Sequence, residues 1–336
     1  MNRIIEKKQL STLFKYVSDN SKVVDSIFRD HKIRFTQPAA LNDPVEFNPA
    51  IRFNSEGNNF KLYKCNGITM PSIHDWYHAN LIESRINNYG VFSLTDNPFS
   101  FEMWCNYANG HRGFLIEFNI PDKTRPTLQL TEEANLKVHK VRYVKDYVVN
   151  IDKLDPTGKY IPFYKIRDSV FLRKTKHWKY EEEYRIVRPL SECEDYQPPM
   201  ARTSYRDDKR IYCFPLSLSC IVNIAFGINT SREIKRKIIE SCKNTKINFL
   251  QTIVYKDRQN EIDFRPIDEF GSADKYLKML PQGFLFDSIT AKYHGNYITV
   301  NSLDKLPYYH LQPKDMEEYY RKQLEKRDAA MTEQKD

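Results

Sequence analysis

From Trp178 to Arg188 the chain reads WKYEEEYRIVR, with three consecutive glutamates inside a run otherwise suited to a β-strand. Carboxylates are seldom buried without a partner, so such a run is either a solvated edge or a working site. On a strand over 180–188 side chains alternate, so Glu181, Glu183 and Arg185 take one face while Tyr184 and Ile186 take the other. Two carboxylates at i and i+2 can divide labour, one activating or orienting a group while the other stabilises developing positive charge. Taken alone, the strand is better explained as a surface edge carrying an in-register Glu–Arg pair.

Other segments hold side chains that could join it. LFKYVS places Lys15 and Tyr16 on an early strand, and SLTDNP ends a later strand near Ser93. LNDPVEF gathers Asn42, Asp43 and Glu46 in a tight loop, where the Asn-Asp-Pro run itself reads as an Asx turn. MWCNYANGHRG sets Trp104, Tyr107 and His111 around the end of a short helix. A lone histidine there is more often a structural hydrogen-bonder than a base, and Trp104 beside Met103 is more often core than a ligand platform. RKTKHWK mixes Arg173, Lys174 and Lys176 with Trp178, a combination suited to phosphate contact and base stacking.

The elements that must position these groups follow from periodicity and turn chemistry. TLFKYV, KIRFT, YGVFSLT, GFLIEFNI and KVHKVRYV read as strands, with an amphipathic helix in NSKVVDSIFRD and another over 73–88. A helix over 161–176 leads to the acidic strand, and a polar surface loop covers 191–208. IYCFPLS and IVNIAFGI are strands, Thr230 three residues before Glu233 reads as a capping box, and INFLQTIVY with IDFRPI forms a closing hairpin. Strands and helices mix without regular alternation, which predicts an α+β fold. The composition shifts near residue 270, so the expected division is a domain over 1–268 and a C-terminal β/α appendage over 269–336, ending in a polar helix and frayed tail.

Composition narrows the function classes. The chain of 336 residues carries 40% hydrophobic and 13% aromatic residues, enough for a sizeable core. Ten glycines and no Gly-x-Gly-x-x-Gly or Walker pattern argue against a Gly-rich phosphate loop. Six scattered cysteines without a CxxC pair read as reduced, apolar residues, and no metal site is expected from them. No apolar run is long enough to span a bilayer. MNRIIEKKQLS lacks the apolar core of a signal peptide, which places the chain in the cytoplasm and off the membrane. A formal charge of +8 suits a polyanionic partner, although a basic soluble surface would look the same.

In their order along the chain these segments resemble domain-of-unknown-function family 2971 over about residues 11–255, most specifically through NDPxE (42–46), MWxxYxxxHxG (103–113) and WxxExExR (178–185). The family in turn looks like a distant relative of the ADP-ribosyltransferases. That resemblance implies a central mixed or antiparallel split sheet with flanking helices, NAD as cofactor, and a cleft built from a basic or His residue on the first strand, a Ser- or Tyr-bearing middle strand and a late Glu-x-Glu strand. It implies that Glu183 binds the ribose 2′-OH and stabilises positive charge on the ribose, that Glu181 orients or deprotonates the acceptor, and that Arg185 holds a carboxylate in place. Lys15 would contact the diphosphate, Tyr16 would stack on nicotinamide, Ser93 would order Glu183, and Trp104, Tyr107 and His111 would complete the NAD-binding wall. Here a lysine stands where Arg or His is usual, SLT replaces Ser-Thr-Ser, and a Trp-containing insertion follows Ser93. The expected activity is ADP-ribosylation of a macromolecule, nucleic acid before protein and RNA before DNA, delivered by Arg173, Lys174, Lys176 and Trp178. Enzymes of this kind act as toxins or anti-phage effectors held in check by a cognate antitoxin. The alternatives are a nuclease holding a divalent metal through Asp43, Glu46, Glu181 and Glu183, and a nucleic-acid-binding module without chemistry.

Overall fold

The computed structural model describes residues 12–43, 45–47, 50–52, 63–65, 68–70, 86–121, 125–150, 162–196, 210–258 and 260–286. Most of the helix expected over 73–88, much of the loop over 191–208 and the terminal helix and tail lie outside the described residues.

The strands that matter for the site are β1 (Thr12–Val17), β2 (Lys32–Phe35), β3 (Tyr89–Thr95), β4 (Phe114–Asn119), β5 (His139–Lys140), β6 (Arg142–Val144), β7 (Arg173–Thr175), β8 (Glu183–Pro189), β9 (Tyr212–Pro215), β10 (Ile221–Phe226), β11 (Asn248–Tyr255), β12 (Glu261–Pro266) and β13 (Leu285–Phe286). Nine of them form one mixed sheet in the order β5–β8–β3–β1–β4–β10–β11–β12, with β13 beside β11. The β10–β11 and β11–β13 pairs are parallel and the other neighbours antiparallel. The fold is therefore mixed α/β around a central mixed sheet. No described helix is long and apolar enough to cross a membrane.

Strands in the middle of this sheet are apolar on both faces because both faces are covered. On β1, Leu13 and Val17 enter the main core together with Val24, Ile27 and Phe28 of α1 (Ser21–Phe28), while Phe14 and Tyr16 enter a second cluster with Met103 and Trp104 of α2 (Phe101–Tyr107). A third cluster, including Phe47, Val91, Val170 and Phe171, covers the far end of that second face. The second face is thus apolar at both ends, with a polar stretch between them.

The sheet also parts in its middle. β1 pairs with β4 along its whole length, from Thr12↔Asn119 to Val17↔Phe114, but meets β3 only at Phe14↔Thr95. β3 and β8 stay in register from Glu183↔Thr95 to Pro189↔Tyr89, so the gap lies between β1 and β3.

Several local expectations change. The helix expected over 161–176 is a short α-turn over Phe163–Ile166 and a wider π-type turn over Arg167–Phe171, after which the chain extends as β7 and pairs in parallel with β6. The terminal carbonyl of Phe171 is taken by the Arg185 guanidinium at 2.7 Å, so the turn closes on a partner from another strand. The acidic strand begins at Glu183 and not at residue 180, because Lys176–Glu181 forms a 3-10 turn ended by Glu182 with φ 44°. KVHKVRYV breaks into Asn135–Lys137, β5 and β6, each with a different partner. The cap of α3 (Arg232–Ser241) is Ser231, whose hydroxyl accepts from the Ile234 amide, whereas Thr230 donates to the carbonyl of Gly113 at 2.6 Å. The segment after 268, set apart by composition, packs onto the main core as far as it is described. Phe270, Tyr276, Leu277 and Phe284 belong to that core, and β13 extends the central sheet.

Candidate functional site

The polar stretch of the second face is a buried charge cluster built on adjacent strands. Opposed residues of an antiparallel pair share a face, so the Glu183↔Thr95 and Arg185↔Ser93 pairings bring those four side chains together. Glu181 joins them from outside the strand. The left-handed turn at Glu182 reverses the chain locally and sends Glu181 and Glu183 to the same place, with Glu182 turned away onto the Asn97 side-chain amide at 3.0 Å. Thr95 holds this turn by donating to the Glu181 carbonyl at 2.6 Å, and the Glu183 amide donates to the Tyr143 hydroxyl at 2.8 Å.

Two cations neutralise the carboxylates. Arg185 donates from Nε and Nη2 to both oxygens of Glu183 at 2.7 Å each, a bidentate pair, and Nη2 also reaches Glu46. The Lys174 ammonium lies 2.6 Å from Glu181, 3.4 Å from Glu183 and 3.4 Å from Glu46. All five side chains are at most 6% exposed. Three carboxylates against two cations leave the cluster one negative charge in excess when all are ionised.

Environment separates the two central carboxyls. Burial alone would raise Glu183, but Arg185 and Lys174 outweigh it, and with a hydrogen bond from Ser93 they bring it down to about 2. Glu181 is raised, first by burial and further by the Glu183 charge, with Lys174 and Tyr107 opposing. Tyr107 donates its hydroxyl to Glu181 and is itself held protonated by burial and that neighbouring charge. The surroundings therefore favour the ionised form of Glu183 and, relative to a free carboxyl, the protonated form of Glu181.

Both border a cavity of about 270 Å³ that opens where β1 and β3 part. Lys15 leaves the opposite face of β1 from Phe14 and Tyr16, and in this gap its ammonium donates to the Ser93 carbonyl at 3.1 Å and lies 4.6 Å from the Phe92 ring centre. Burial, only partly offset by Glu183, lowers its amine to about 8. Tyr16, Ser93, Tyr107 and Trp178 also line the cavity, as do Asn42, Asp43 and Glu46 of the NDPVE loop.

Lys15, Tyr16, Ser93, Tyr107, Lys174, Trp178, Glu181 and Glu183 thus meet at one place, and Arg185 stands directly behind them. Trp104 and His111 do not line the cavity. Trp104 is fully buried, donates to the Pro98 carbonyl at 3.2 Å and packs edge-on against Tyr16. His111 stacks on Trp104 at 5.6 Å with neither ring nitrogen hydrogen-bonded among the described residues, and burial lowers it to about 4. It is a neutral packing ring, neither a base nor the hydrogen-bonder expected from its type. Lys174, expected to grip a polyanion, is instead the central cation of the buried cluster. Arg173 is turned onto the Val148 and Asp146 carbonyls, and Lys176 is exposed outside the cavity. Among the described residues no group of His, Cys, Asp and Glu is arranged to hold a metal ion.

Sequence reasoning missed Arg34 and underused Glu46. Arg34 lines the cavity from β2, and alternation in KIRF could have pointed to it, because Ile33 and Phe35 are core residues and Arg34 must face away from them. Glu46 was visible only as one acidic residue of a loop, and no local pattern pairs it with Arg185, 139 positions away.

No curated protein and no solved structure matches the chain. Residues 103–186 match a family described as "Protein of unknown function (DUF2971)". The matched span holds Tyr107, Lys174, Trp178, Glu181, Glu183 and Arg185, and stops short of Lys15, Arg34, Glu46 and Ser93. The resemblance carried by MWxxYxxxHxG and WxxExExR is borne out by this match, which covers one quarter of the chain and is to domain-of-unknown-function family 2971.

Proposed function

We propose that the protein is an NAD-dependent ADP-ribosyltransferase acting on a macromolecule, with nucleic acid, RNA before DNA, as the acceptor. The observation that carries this reading is the juxtaposition of three neighbouring strands. β1 supplies a half-buried lysine, β3 a serine facing Glu183, and β8 the glutamate itself, all at one opening of the sheet.

The residues fit the group. NAD supplies a glycosidic bond whose cleavage leaves positive charge on a ribose, and a carboxylate kept ionised beside it answers that charge. Glu183 is such a carboxylate, and Arg185 and Ser93 fix its orientation. Glu181, raised by its surroundings, takes a proton from an acceptor hydroxyl or amine. Tyr16 borders the cavity and holds its own hydroxyl on the Asn97 carbonyl at 3.0 Å, which leaves its ring as an apolar wall. Trp178 lines the cavity, and the exposed Lys176, His177 and Lys179 stand beside it on the same turn, which favours a polyanionic acceptor. A metal-dependent nuclease draws less support. Glu46, Glu181 and Glu183 already accept from Lys174 or Arg185, and a divalent ion would have to displace those cations.

The test is incubation of the purified chain with NAD labelled on the adenylate, beside separate pools of RNA, single-stranded DNA and cytosolic protein. Transfer to one pool, abolished in folded Glu183→Gln and reduced in Glu181→Gln, is the expected result. The absence of both transfer and nicotinamide release from a folded wild-type protein refutes the assignment. Glu181→Gln serves as the second variant because it removes the proton acceptor while leaving Arg185 its pair with Glu183.

A further inference from the structure

Arg34 lines the cavity without a partner among the described residues. Arg34 sits on β2 opposite Cys213, half-buried, with its Nε shielded from solvent, and it makes no hydrogen bond or ion pair among the described residues. Buried guanidinium N–H groups are ordinarily satisfied, because leaving one unpaired forfeits its hydration without replacement. Lys15 is in a similar position. Its one hydrogen bond goes to a neutral carbonyl, and no described carboxylate lies within ion-pair distance.

These cations face a cavity whose other wall is already internally paired. Glu46, Glu181 and Glu183 engage Lys174 and Arg185 at contact distance, and Asp43, the other acidic residue of the lining, accepts from the Val45 amide, so none of them pairs directly with Lys15 or Arg34. Burial weakens the charge on Lys15, Glu183 opposes that, and the like charge of Arg34 adds to it. The cavity is therefore polarised, anionic around Glu181 and Glu183 and cationic around Lys15 and Arg34. A ligand that satisfies both walls carries an anionic group at one end, and at the other hydroxyls or developing positive charge.

We propose that Arg34, beside the Lys15 already expected at a diphosphate, is the residue of this cavity that recognises a phosphate or diphosphate group of the ligand. Naming that group as the diphosphate of NAD rests on the transferase reading above; the subsite itself does not. Arg34 suits the role because its planar fork meets phosphate oxygens two at a time, whereas Lys15 offers a point charge tied to the Ser93 carbonyl. The bound anion would complete the valences of Arg34 Nε and return full charge to Lys15.

The experiment measures binding of three probes by calorimetry: ADP-ribose, inorganic pyrophosphate, and nicotinamide riboside, which has no phosphate. Wild type is compared with Arg34→Gln and Arg34→Lys, each checked for an unchanged melting temperature. In Arg34→Gln, ADP-ribose and pyrophosphate are expected to weaken roughly 10- to 100-fold, the loss of a charge-assisted contact, with partial recovery in Arg34→Lys and no change for the riboside. Undiminished ADP-ribose and pyrophosphate binding by Arg34→Gln overturns the subsite, and so does an equal loss for all three probes. The two readings fail separately. Pyrophosphate binding that depends on Arg34 in a protein without transfer activity keeps the subsite and discards the transferase. Transfer activity with an NAD KM indifferent to Arg34 does the reverse.

Discussion

Removing the Glu183 charge tests the electrostatics on which the site rests. In the folded protein this carboxyl is brought from 4.5 to about 2 by Arg185 and Lys174 against the cost of burial. At ~1.4 kcal/mol per pKa unit, that difference makes ionised Glu183 worth about 3 kcal/mol to the fold. Glu183→Gln forfeits it and leaves the fully buried Arg185 with Glu46 as its remaining carboxylate. The sign of the pH dependence follows from the lowered value. The contribution is complete above the unfolded pKa near 4.5 and fades as pH falls toward 2. Urea unfolding of wild type and Glu183→Gln should therefore differ by about 3 kcal/mol at roughly pH 7 and by about 2 kcal/mol at roughly pH 3.5. Adding Arg185→Met to Glu183→Gln should deepen the loss, because it strips Glu46 and the Phe171 carbonyl of their guanidinium donor. A cost below about 1 kcal/mol at neutral pH, or one that does not change with acidification, would refute the picture of an anion held by Arg185. Loss of transfer activity in this variant bears on chemistry only when its folded fraction is measured in the same buffer.

Three further outcomes are expected. Lys235 is buried beside Gln251 Oε1 at 2.9 Å and between the rings of Tyr276 and Phe284, and burial lowers it to about 7. The unfolded chain therefore binds the extra proton between about pH 7 and pH 10, so stability rises with pH across that window, and Lys235→Met should abolish the rise and raise neutral-pH stability by a few kcal/mol in urea titrations; an unchanged pH profile refutes this. A methyl group at Gly113 would stand 1.9 Å from the Val17 carbonyl oxygen, so Gly113→Ala should cost more than about 3 kcal/mol by thermal unfolding, and a melting point equal to wild type would contradict the close approach at the exit of β1. Ser231→Asp should be nearly neutral because aspartate also caps, whereas Thr230→Asp should destabilise by about 2 kcal/mol by setting a carboxylate against the Gly113 carbonyl; the opposite ranking would return the cap to Thr230.

Much of the fold was legible because its evidence is local. TLFKYV, YGVFSLT, GFLIEFNI and the closing hairpin carry their strand character in each window, and Asn109 and Gly110, both at positive φ, end α2 where turn chemistry places the stop. The common face of Glu183 and Arg185 follows from the two-residue repeat alone. Local evidence misled where a distant partner outweighed it. The helix expected through 176 ends early because Arg185 takes the Phe171 carbonyl, and β7 pairs with β6 instead of continuing the turn.

What the sequence by itself determined was a chain of mixed strands and helices with an acidic strand, a lysine and a serine on two earlier strands, and the order in which they occur. Only the tertiary structure decided that these strands are neighbours and that the sheet opens between two of them. It also turned Lys174 from an outward basic residue into the counter-ion of three glutamates, and left Arg34, among the described residues, unpaired in the cavity they share. The physical reason is the range of the forces involved. Strand and turn preferences are set within a few residues, whereas a buried charge is decided by whatever partner the fold brings within 4 Å, and for Glu46 and Arg185 that partner lies 139 positions along the chain.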